Sequence, residues 1–595
     1  MCGILGLSPK IEVKKFKDAL NSLSRRGPDA KSYIELNNCM LGHTRLSIID
    51  LTNNANQPMQ DISKRFTIVF NGEIYNYKEL KSILLKDYDE FRTQSDTEVI
   101  LVGFKYFGVN FFEKLQGMFA FSIHDSLTDE IILVRDRLGI KPLLYFANID
   151  QLIFASELKP FKLISDKFNG ISSSSVTDLL KFGSICQPNT IIQSIQQLPP
   201  GCILTWRQNK PLIINKYVEF NVELNYKLSY DETKLHLRKL LEKATKLHMV
   251  GDVEVGCFLS AGIDSTAVLG LMQNQVDLPI HAFSLGFENQ EDMADETQIA
   301  ENSAKLIGAR FTRKIVTDIE ALDLFDDYID SIDQPSIDGF NTFLISKVAS
   351  EHVKVVLTGL GGDELFGGYP HFKSIFESKN NSANLLDKFL SRMYETFPNR
   401  FTHNSKLRLE NLKGALSLFR TYFHRREISN ILVSGYIDNK TDNIIDSGET
   451  VSSLEVKNYL LNTLLRDSDV IGMWHGLELR PILLDQDVVN FALSIPDSYK
   501  VNKGLLKSIF IDSVIDLLPS DVLNRKKTGF ELPFVKWMNG IMNERILKLW
   551  DSGSAILLFK KSFLSNIKSK TKLKKLEQKD WILVILISWV EKRLS

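Results

Sequence analysis

The sequence contains few cysteines, and their spacing argues against two kinds of structure. Five cysteines occur among the 595 residues, and none of them forms a C-x-x-C pair: Cys2, Cys39, Cys186, Cys202 and Cys257. An odd number of scattered cysteines argues against a disulfide framework and against a zinc site. It fits a protein of a reducing compartment.

Long apolar runs are also missing. Residues 1–9 contain neither a basic segment nor an extended apolar segment of the kind that begins a secretory leader. The run at 581–590 is apolar, but it is shorter than the roughly 20 residues that a membrane-spanning helix needs. We therefore predict a buried terminal helix and a cytoplasmic protein.

The chain has almost no excess of charge of either sign. Its formal net charge is −1, which gives no overall attraction to nucleic acid or to an anionic membrane. The main basic run, 568–575, is interrupted by polar and apolar residues and predicts a solvated helix face. We expect neither a nucleic-acid partner nor a membrane partner.

The pattern of apolar residues changes near residue 230, and the chain is too long for one hydrophobic core. Up to that point, short β-type runs dominate, with helical spacing in two segments; the runs are 66–70, 119–123, 131–134 and 152–155, and the helical segments are 13–23 and 97–107. This pattern predicts an α+β domain of stacked layers with antiparallel pairing over residues 2–215.

From residue 230 onward, strand and helix signals alternate. Apolar runs at 253–259, 280–285 and 353–357 are separated by helical patterns at 231–249, from 266, and at 295–306. The alternation predicts an α/β domain with a parallel sheet over residues 230–595, ending in a mostly helical part from about residue 372.

Cys2 is a candidate N-terminal nucleophile. Removal of Met1 is expected when a small residue follows, and it leaves the free α-amino group on the residue that carries the thiol. The reference pKa of that group, ~7.7–8.0, suits a general base near neutral pH. One residue would then supply both the nucleophile and the base for acyl transfer.

Residues further along have the chemical types that bind glutamine. An arginine such as Arg45 can clamp an α-carboxylate, and an aspartate such as Asp96 can accept from an α-ammonium. The Asn71 amide and the Gly72 backbone N–H can face a developing oxyanion, since glycine permits close backbone approach. These residues lie in the segments 42–50, 71–76 and 95–98, after Arg-Arg-Gly-Pro-Asp at 25–29.

These segments, in this order, resemble the glutaminase domain of the asparagine synthetase B family, a class II, N-terminal-nucleophile glutamine amidotransferase. The runs 135–143 and 155–159 also match that family. The resemblance implies a layered α-β-β-α fold, attack of Cys2 on the glutamine amide, and release of ammonia. It assigns catalysis to Cys2, Asn71 and Gly72, and glutamine binding to Arg45, Asn71, Gly72, Glu73 and Asp96.

Two small-residue loops in the second half predict a nucleotide site. Ser260-Ala261-Gly262-Ile263-Asp264-Ser265 follows an apolar run and opens a helix, so that its backbone N–H groups can bind an anion. The loop resembles the SGGxDS pyrophosphate loop of N-type ATP pyrophosphatases, with Ala261 in place of a glycine. Asp264 is a candidate Mg²⁺ ligand.

The second loop, Thr358-Gly359-Leu360-Gly361-Gly362-Asp363-Glu364, also follows an apolar run. Asp363 is the second candidate Mg²⁺ ligand. The resemblance places Leu285, Gly286 and Gly359 near the adenosine of ATP and adds Thr358 to the ATP-binding residues. It assigns the family's late lysine, which stabilises the leaving pyrophosphate, to Lys527.

The resemblance implies a reaction in three stages. Glutamine is hydrolysed at Cys2, ammonia travels internally, and it attacks a carboxylate that ATP has activated as an acyl-adenylate. The implied substrates are L-glutamine, ATP with Mg²⁺, and a carboxylate acceptor. The family often forms homodimers.

The identity of the acceptor is open. Standard members carry a glutamate where this chain has Leu360, and Asp338 lies about where a carboxylate-binding arginine is expected. An acidic group is a poor partner for an anionic substrate unless a cation compensates. This variant pattern resembles bacterial asparagine-synthetase-like proteins that amidate sugar acids for surface polysaccharides.

We weigh three functions. Aspartate amidation to asparagine is favoured by the overall match, and amidation of another carboxylate such as a uronic acid is second. The third is a catalytically silent binding protein, against which six intact residues argue: Cys2, Arg45, Asp96, Asp264, Ser265 and Asp363.

Overall fold

Two stacked six-stranded sheets form the first half of the chain. The computed structural model describes residues 2–88, 90–219, 226–288, 296–379, 385–394, 400–436, 449–525 and 532–594. The sheets have the orders β10-β8-β9-β1-β3-β2 and β12-β11-β7-β6-β5-β4, and their strand pairs are antiparallel. The strands are β1 Cys2–Ser8, β2 Ala30–Glu35, β3 Met40–Arg45, β4 Met59–Gln60, β5 Phe66–Ile74, β6 Gly117–Asp125, β7 Glu130–Arg135, β8 Leu144–Ala147, β9 Leu152–Ala155, β10 Gln196–Gln197, β11 Cys202–Trp206 and β12 Ile213–Lys216.

Helices cover the outer faces of both sheets and complete the predicted α-β-β-α layers. Helices α1 and α4 pack on the first sheet and α3 packs on the second; the helices are α1 Val13–Asn21, α2 Tyr77–Leu84, α3 Asp96–Phe107, α4 Lys159–Ile164 and α5 Ser173–Phe182. An apolar cluster that includes Ile4, Val69 and Leu133 fills the space between the sheets. All nine residues of β5 are buried, and its apolar residues do not alternate with polar ones, since Ile68, Val69 and Phe70 are consecutive.

The second half is built on a five-stranded parallel sheet of order β15-β14-β13-β16-β17. Its strands are β13 Val255–Phe258, β14 His281–Phe287, β15 Arg310–Val316, β16 Val355–Thr358 and β17 Glu478–Pro481. The three predicted strands are β13, β14 and β16, so the predicted parallel α/β sheet is confirmed. Strands β15 and β17 escape prediction because β15 is a largely exposed strand rich in basic residues and β17 buries Glu478 and Arg480.

Helices surround this sheet, and the described residues after about residue 372 are mostly helical, as predicted. The helices are α6 Tyr230–His248, α7 Ile263–Gln273, α8 Glu296–Ile307, α9 Asp318–Asp323, α10 Phe325–Ser331, α11 Phe340–Ala349, α12 Gly362–Phe366, α13 Pro370–Lys379, α14 Leu385–Met393, α15 Arg400–Leu409, α16 Leu412–Arg420, α17 Arg425–Ile431, α18 Val451–Glu455, α19 Leu465–Trp474, α20 Gln486–Ser494, α21 Asp497–Lys500, α22 Ser508–Val514, α23 Ser520–Leu523, α24 Phe534–Asn539, α25 Asn543–Leu549, α26 Gly553–Leu558, α27 Lys561–Lys572 and α28 Asp580–Leu594. A π-helical segment, Val456–Leu464, joins α18 to α19.

The predicted terminal helix is α28, and its apolar side chains are buried in a core shared with the first half. Among the described residues, no helix combines the length and the apolar content that crossing a bilayer requires.

Candidate active sites

Cys2 and Arg45 lie opposite each other on neighbouring strands. Cys2 begins β1 and pairs with Arg45, the last residue of β3. The Cys2 side chain is buried, and burial raises the pKa of its thiol, while the Leu46 backbone N–H and Arg45 act in the opposite direction. A thiol with a raised pKa needs a base in order to become a nucleophile.

Asn71 contacts the Cys2 backbone from the second sheet. The Cys2 backbone nitrogen donates to Asn71 Oδ1 at 3.0 Å. The amide oxygen accepts this hydrogen bond, so the amide nitrogen is directed away from the Cys2 backbone. The buried Nδ2 has no hydrogen-bond partner among the described residues. A buried donor without a partner is costly unless a ligand uses it.

Gly72 can only be glycine in this backbone. Its φ is +151°, and a Cβ would lie 2.1 Å from the carbonyl oxygen of Met118. The position therefore demands both the left-handed φ and the absence of a side chain. Asn71 and Gly72, which were predicted together as oxyanion donors, lie on β5 next to the end of β1.

Arg45 is held by neutral oxygens of one loop. Its Nη1 donates to the Thr52 carbonyl and to Asn56 Oδ1, both at 2.8 Å. Its Nη2 donates to the carbonyls of Ile49 and Asp50. The loop fixes the direction of the guanidinium through partners that carry no charge.

Asp96 and Glu73, the two predicted acidic glutamine contacts, are both buried. Asp96 Oδ2 accepts from the Ile74 backbone N–H at 3.0 Å, and burial raises the pKa of Asp96 to about 6 against the effect of that bond. Glu73 lies 3.3 Å from Arg480 of the second half, and burial raises the pKa of Glu73 although Arg480 lowers it. Glutamine binding by Glu73 stays a prediction.

The nucleotide loops meet in a cleft of about 570 Å³ at the carboxyl ends of β13, β14 and β16. Parallel α/β sheets bind ligands at this edge. Nine predicted residues line the cleft: Ser260, Ala261, Gly262, Ile263, Asp264, Ser265, Leu285, Gly359 and Asp363. Thr358 ends β16 and is not among the lining residues, whereas Lys527 lies outside the described residues.

The first loop closes on itself through two serines. Ser265 Oγ accepts from the Ser260 backbone N–H at 3.0 Å, and the Gly262 backbone N–H donates to Ser260 Oγ at 3.1 Å. Helix α7 begins at Ile263, three residues before its predicted start, so Asp264 and Ser265 belong to its first turn. The loop thus presents a helix N-terminus to the cleft.

Lys507 joins the two loops, although no motif in the sequence marks it. Its Nζ lies 2.5 Å from Asp264 and 2.6 Å from Asp363, so the two predicted Mg²⁺ ligands lie side by side around one cation. Burial acts to lower the pKa of Lys507, but the two carboxylates raise it above its ordinary value. Lys507 has a left-handed φ of +57°, a conformation that costs a non-glycine residue about 1 kcal/mol or more and that clusters at functional sites.

One wall of the cleft, which we call the acceptor wall, consists of Leu360, Glu364, Tyr369 and Tyr459. Tyr369 donates to Glu364 at 2.5 Å, and burial together with Asp363 raises the pKa of Glu364 to about 7. Nothing in the motif Gly-Gly-Asp-Glu distinguished Glu364 from a turn residue.

Asp338 lies about where the family resemblance predicts a carboxylate-binding arginine, and it contacts Tyr459 of the acceptor wall. Tyr459 donates to Asp338 Oδ2 at 3.4 Å, and burial raises the pKa of Asp338. Its other oxygen accepts from the Gly339 backbone N–H at 2.7 Å. An acidic group therefore supports this wall of the cleft.

A buried arginine connects the two halves. Arg480 of β17 donates to Glu478 at 2.5 Å and to the His248 carbonyl at 2.7 Å, and it pairs with Glu73. The connection brings the predicted glutamine pocket into contact with the sheet that carries the nucleotide cleft.

Comparisons with known proteins agree with this arrangement. Residues 1–218 match the family model of a glutamine amidotransferase domain, and residues 236–591 match that of asparagine synthase. Asparagine synthetase [glutamine-hydrolyzing] 1 of Bacillus subtilis is 28% identical and covers 100% of this chain and 98% of its own length. Putative asparagine synthetase [glutamine-hydrolyzing] 2 of Methanocaldococcus jannaschii is 34% identical over 70% of this chain and 85% of its own.

Not every relative carries the synthetase name. Amidase chry2 of Gibberella zeae is 26% identical over 92% of this chain and 89% of its own. A solved glutamine phosphoribosylpyrophosphate amidotransferase from B. subtilis, in complex with ADP and GMP, aligns with 52% of this chain and 65% of its own at 17% identity, with a TM-score of 0.29 that is too low to add to the fold described above. The matched domains show that this chain belongs to the asparagine synthase family and is an ATP-dependent ligase that hydrolyses glutamine.

Proposed function

We propose that this ligase transfers the amide nitrogen of glutamine to L-aspartate and cleaves ATP to AMP and diphosphate, giving asparagine and glutamate. Residues 2–215 are the glutaminase domain and residues 230–595 the synthetase domain. The observation that carries the proposal is the meeting of Asp264, Asp363 and Lys507 in the cleft formed by two phosphate-type loops. A reaction of this kind belongs in the cytoplasm, where ATP and glutamine are supplied.

The first half-reaction takes place at Cys2 after removal of Met1. The α-amino group takes the thiol proton, and the sulfur attacks the side-chain carbonyl carbon of glutamine to give a tetrahedral oxyanion. The C–N bond then breaks, the α-amino group returns the proton to the leaving nitrogen, and ammonia and a thioester are formed. Asn71 Oδ1 already accepts from the Cys2 nitrogen, which supports its role in orienting the amino group. Asn71 Nδ2 and the Gly72 N–H donate to the oxyanion, and water then releases glutamate.

Arg45 and Asp96 hold the glutamine in place. Arg45 binds the α-carboxylate, since its partners are neutral oxygens that leave its charge available. Asp96 accepts from the α-ammonium when it is ionised, and Glu73 completes the pocket.

The second half-reaction takes place in the cleft. An oxygen of the acceptor carboxylate attacks the α-phosphorus of ATP, and diphosphate leaves. Ammonia attacks the acyl carbon of the adenylate, AMP leaves, and the amide forms. Lys507 donates to the phosphate oxygens on which negative charge increases, in the role that the sequence analysis assigned to Lys527.

Two carboxylates around one cation also fit Mg²⁺, which proteins commonly bind through one or two carboxylates and substrate phosphates. Asp264 and Asp363 would hold the ion, which neutralises phosphate charge when it is bound. Without a ligand, the Lys507 ammonium lies between the same two carboxylates.

A second candidate acceptor is another carboxylate, such as a uronic acid. The acceptor wall favours it, because this wall presents two tyrosines and Glu364 with Asp338 behind it. A second carboxylate, as in aspartate, gains nothing from acidic neighbours, whereas hydroxyl groups donate hydrogen bonds to them.

An acceptor screen decides between these acceptors. Purified protein receives glutamine, ATP and Mg²⁺ with either aspartate or a panel of uronic acids, and diphosphate release and the amide product are measured. Diphosphate and asparagine are expected with aspartate. Diphosphate release that ignores aspartate but responds to a uronic acid supports the second candidate and contradicts the first. Size-exclusion chromatography of the same protein tests the homodimer that the family resemblance implies.

A further inference from the structure

A cluster of four buried charges crosses the interface between the two halves. The first half contributes Arg26, Lys141 and Glu157, and the second half contributes Asp469. Asp469 lies 2.7 Å from Arg26 and 3.1 Å from Lys141, and the side chains of all three are 1% exposed. Arg26 also pairs with Glu157 at 3.1 Å.

The charges of this cluster balance only when both halves are present. The first half supplies two cations and one carboxylate, so one buried positive charge depends on Asp469 for its partner. Removing one member of a buried ion pair leaves a charge without compensation and is strongly destabilising locally. Burial acts to raise the pKa of Asp469, but the two cations lower it below its ordinary value, which favours the anionic carboxylate.

Arg26 links this cluster to the backbone of Cys2. Its Nε donates to the Cys2 carbonyl at 3.0 Å, while its two terminal nitrogens are bound to Glu157 and Asp469. A guanidinium is planar and rigid, so acceptors on two of its nitrogens fix the direction of the third. Asp469 therefore determines where Arg26 holds the Cys2 carbonyl.

Asp469 lies on the same helical run as part of the nucleotide cleft. It belongs to α19, which directly continues the π-helical segment Val456–Leu464, and that segment supplies Tyr459 and Leu464 to the cleft. Tyr459 and Asp469 are ten residues apart, which corresponds to roughly 15 Å along a helix.

We propose that Asp469 of the synthetase domain is a positioning residue for the glutaminase nucleophile. It acts through Arg26 on the Cys2 carbonyl, and thereby on the direction of the thiol and of the α-amino group. The proposal rests on the proposed role of Cys2. It predicts an effect on the rate of the chemical step rather than on glutamine binding, because Arg45 and Asp96 are held by other partners.

The test compares Asp469→Asn with Asp467→Asn in the full-length protein. Asp467 is a buried acid on the same helix, but its partners Ser336 and Arg466 belong to the second half. For Asp469→Asn we expect the kcat of glutamine hydrolysis to fall roughly 10- to 100-fold, since small misplacements of reacting groups have effects of this size. The KM for glutamine and ammonia-driven diphosphate release should stay within about twofold of the unmodified protein by the same argument.

A second, charge-balanced variant tests whether the loss of kcat comes from local misfolding around an unpaired buried charge. Lys141→Met combined with Asp469→Leu removes one buried charge of each sign, so the cluster stays balanced while Arg26 loses Asp469 and keeps Glu157. The same loss of kcat with retained ammonia-driven synthesis is expected. Glutaminase kcat at the unmodified level in either variant overturns the proposal, and so does an equal loss of kcat in Asp467→Asn.

Cys2→Ala distinguishes a failure of the proposed role of Cys2 from a failure of the proposed role of Asp469. If Cys2→Ala still hydrolyses glutamine, then Cys2 is not the nucleophile and the inference about Asp469 falls with it. If Cys2→Ala is inactive toward glutamine while Asp469→Asn is fully active, only the positioning role is overturned.

Discussion

The two candidate sites satisfy their charged groups in different ways. Around Cys2, Arg45 is bound by carbonyl and amide oxygens, and Asn71 and Gly72 are fixed by a strand. In the nucleotide cleft, the Lys507 ammonium is bound between the carboxylates of Asp264 and Asp363, so its partners are charged.

This difference indicates two modes of ligand binding. In the proposed glutaminase site the buried Asn71 Nδ2 has no hydrogen-bond partner among the described residues, so we propose that it is available to an oxyanion without a change of partners. In the cleft, Lys507 is ion-paired with both aspartates, so we propose that binding of phosphate oxygens changes the partners of its ammonium group. We therefore expect substitutions at one site to leave the chemistry of the other site intact.

The largest effect is expected from Cys2→Ala. Without the thiol there is no thioester, so glutamine hydrolysis and glutamine-driven synthesis should fall at least about 10³-fold. Ammonia-driven synthesis should persist, because the cleft needs only free ammonia. Glutamate and diphosphate release, measured with glutamine or with ammonium, give both rates.

Cys39→Ala is the matched control for that experiment. Cys39 is a buried thiol whose pKa burial raises to about 12, and its replacement should leave both rates unchanged. An equal loss of glutamine-driven and ammonia-driven synthesis in Cys2→Ala would contradict the separation of the two sites.

Lys507→Met should produce the opposite pattern. Synthesis from either nitrogen source should fall about 10³-fold, because the charge that develops on the phosphates loses its partner. Glutamine hydrolysis should continue. Lys503→Met, which removes an exposed lysine of the same loop, is the control. Normal diphosphate release from Lys507→Met would contradict the proposed role of Lys507 in stabilising phosphate charge.

A smaller effect is expected from Asn71→Ala. Loss of one oxyanion donor should lower the kcat of glutamine hydrolysis about 10²-fold with little change in KM. Steady-state glutamate release measures both constants. A raised KM at unchanged kcat would assign Asn71 to substrate binding instead.

The smallest effect is a pH dependence at Asp96. Burial raises the pKa of Asp96 to about 6, so the carboxylate is charged above that pH and becomes neutral below it. The KM for glutamine should therefore rise about tenfold from pH 7 to pH 5. Asp96→Asn should have a high KM that does not vary over this range. A flat KM in the unmodified protein would exclude Asp96 as the partner of the α-ammonium.

The sequence was most informative where function depends on contiguous residues. The 260–265 loop and the Asn71-Gly72 pair carry their chemistry in consecutive positions, and each directly follows an apolar run of the sequence, 253–259 and 66–70. Both features could therefore be located without a structure, as could the layered fold of the first half.

Lys507 could not be predicted in this way. Its role arises from tertiary contacts with two distant aspartates, and its neighbours Gly504 and Leu505 show no motif. Strand β17 also escaped prediction. Glu478 and Arg480 are charged residues, which do not predict a buried strand, and inside the protein they pair with each other.

The central claim is that two separately built sites act in series within one chain. The most direct test supplies glutamine labelled with nitrogen-15 in its amide, together with an excess of unlabelled ammonium, and measures the isotope in the amide product by mass spectrometry. We expect the product to carry mostly nitrogen-15 while the unmodified protein turns over, and only unlabelled nitrogen in Cys2→Ala. A product whose label is diluted to the level of the bulk ammonium would contradict internal transfer between the two sites.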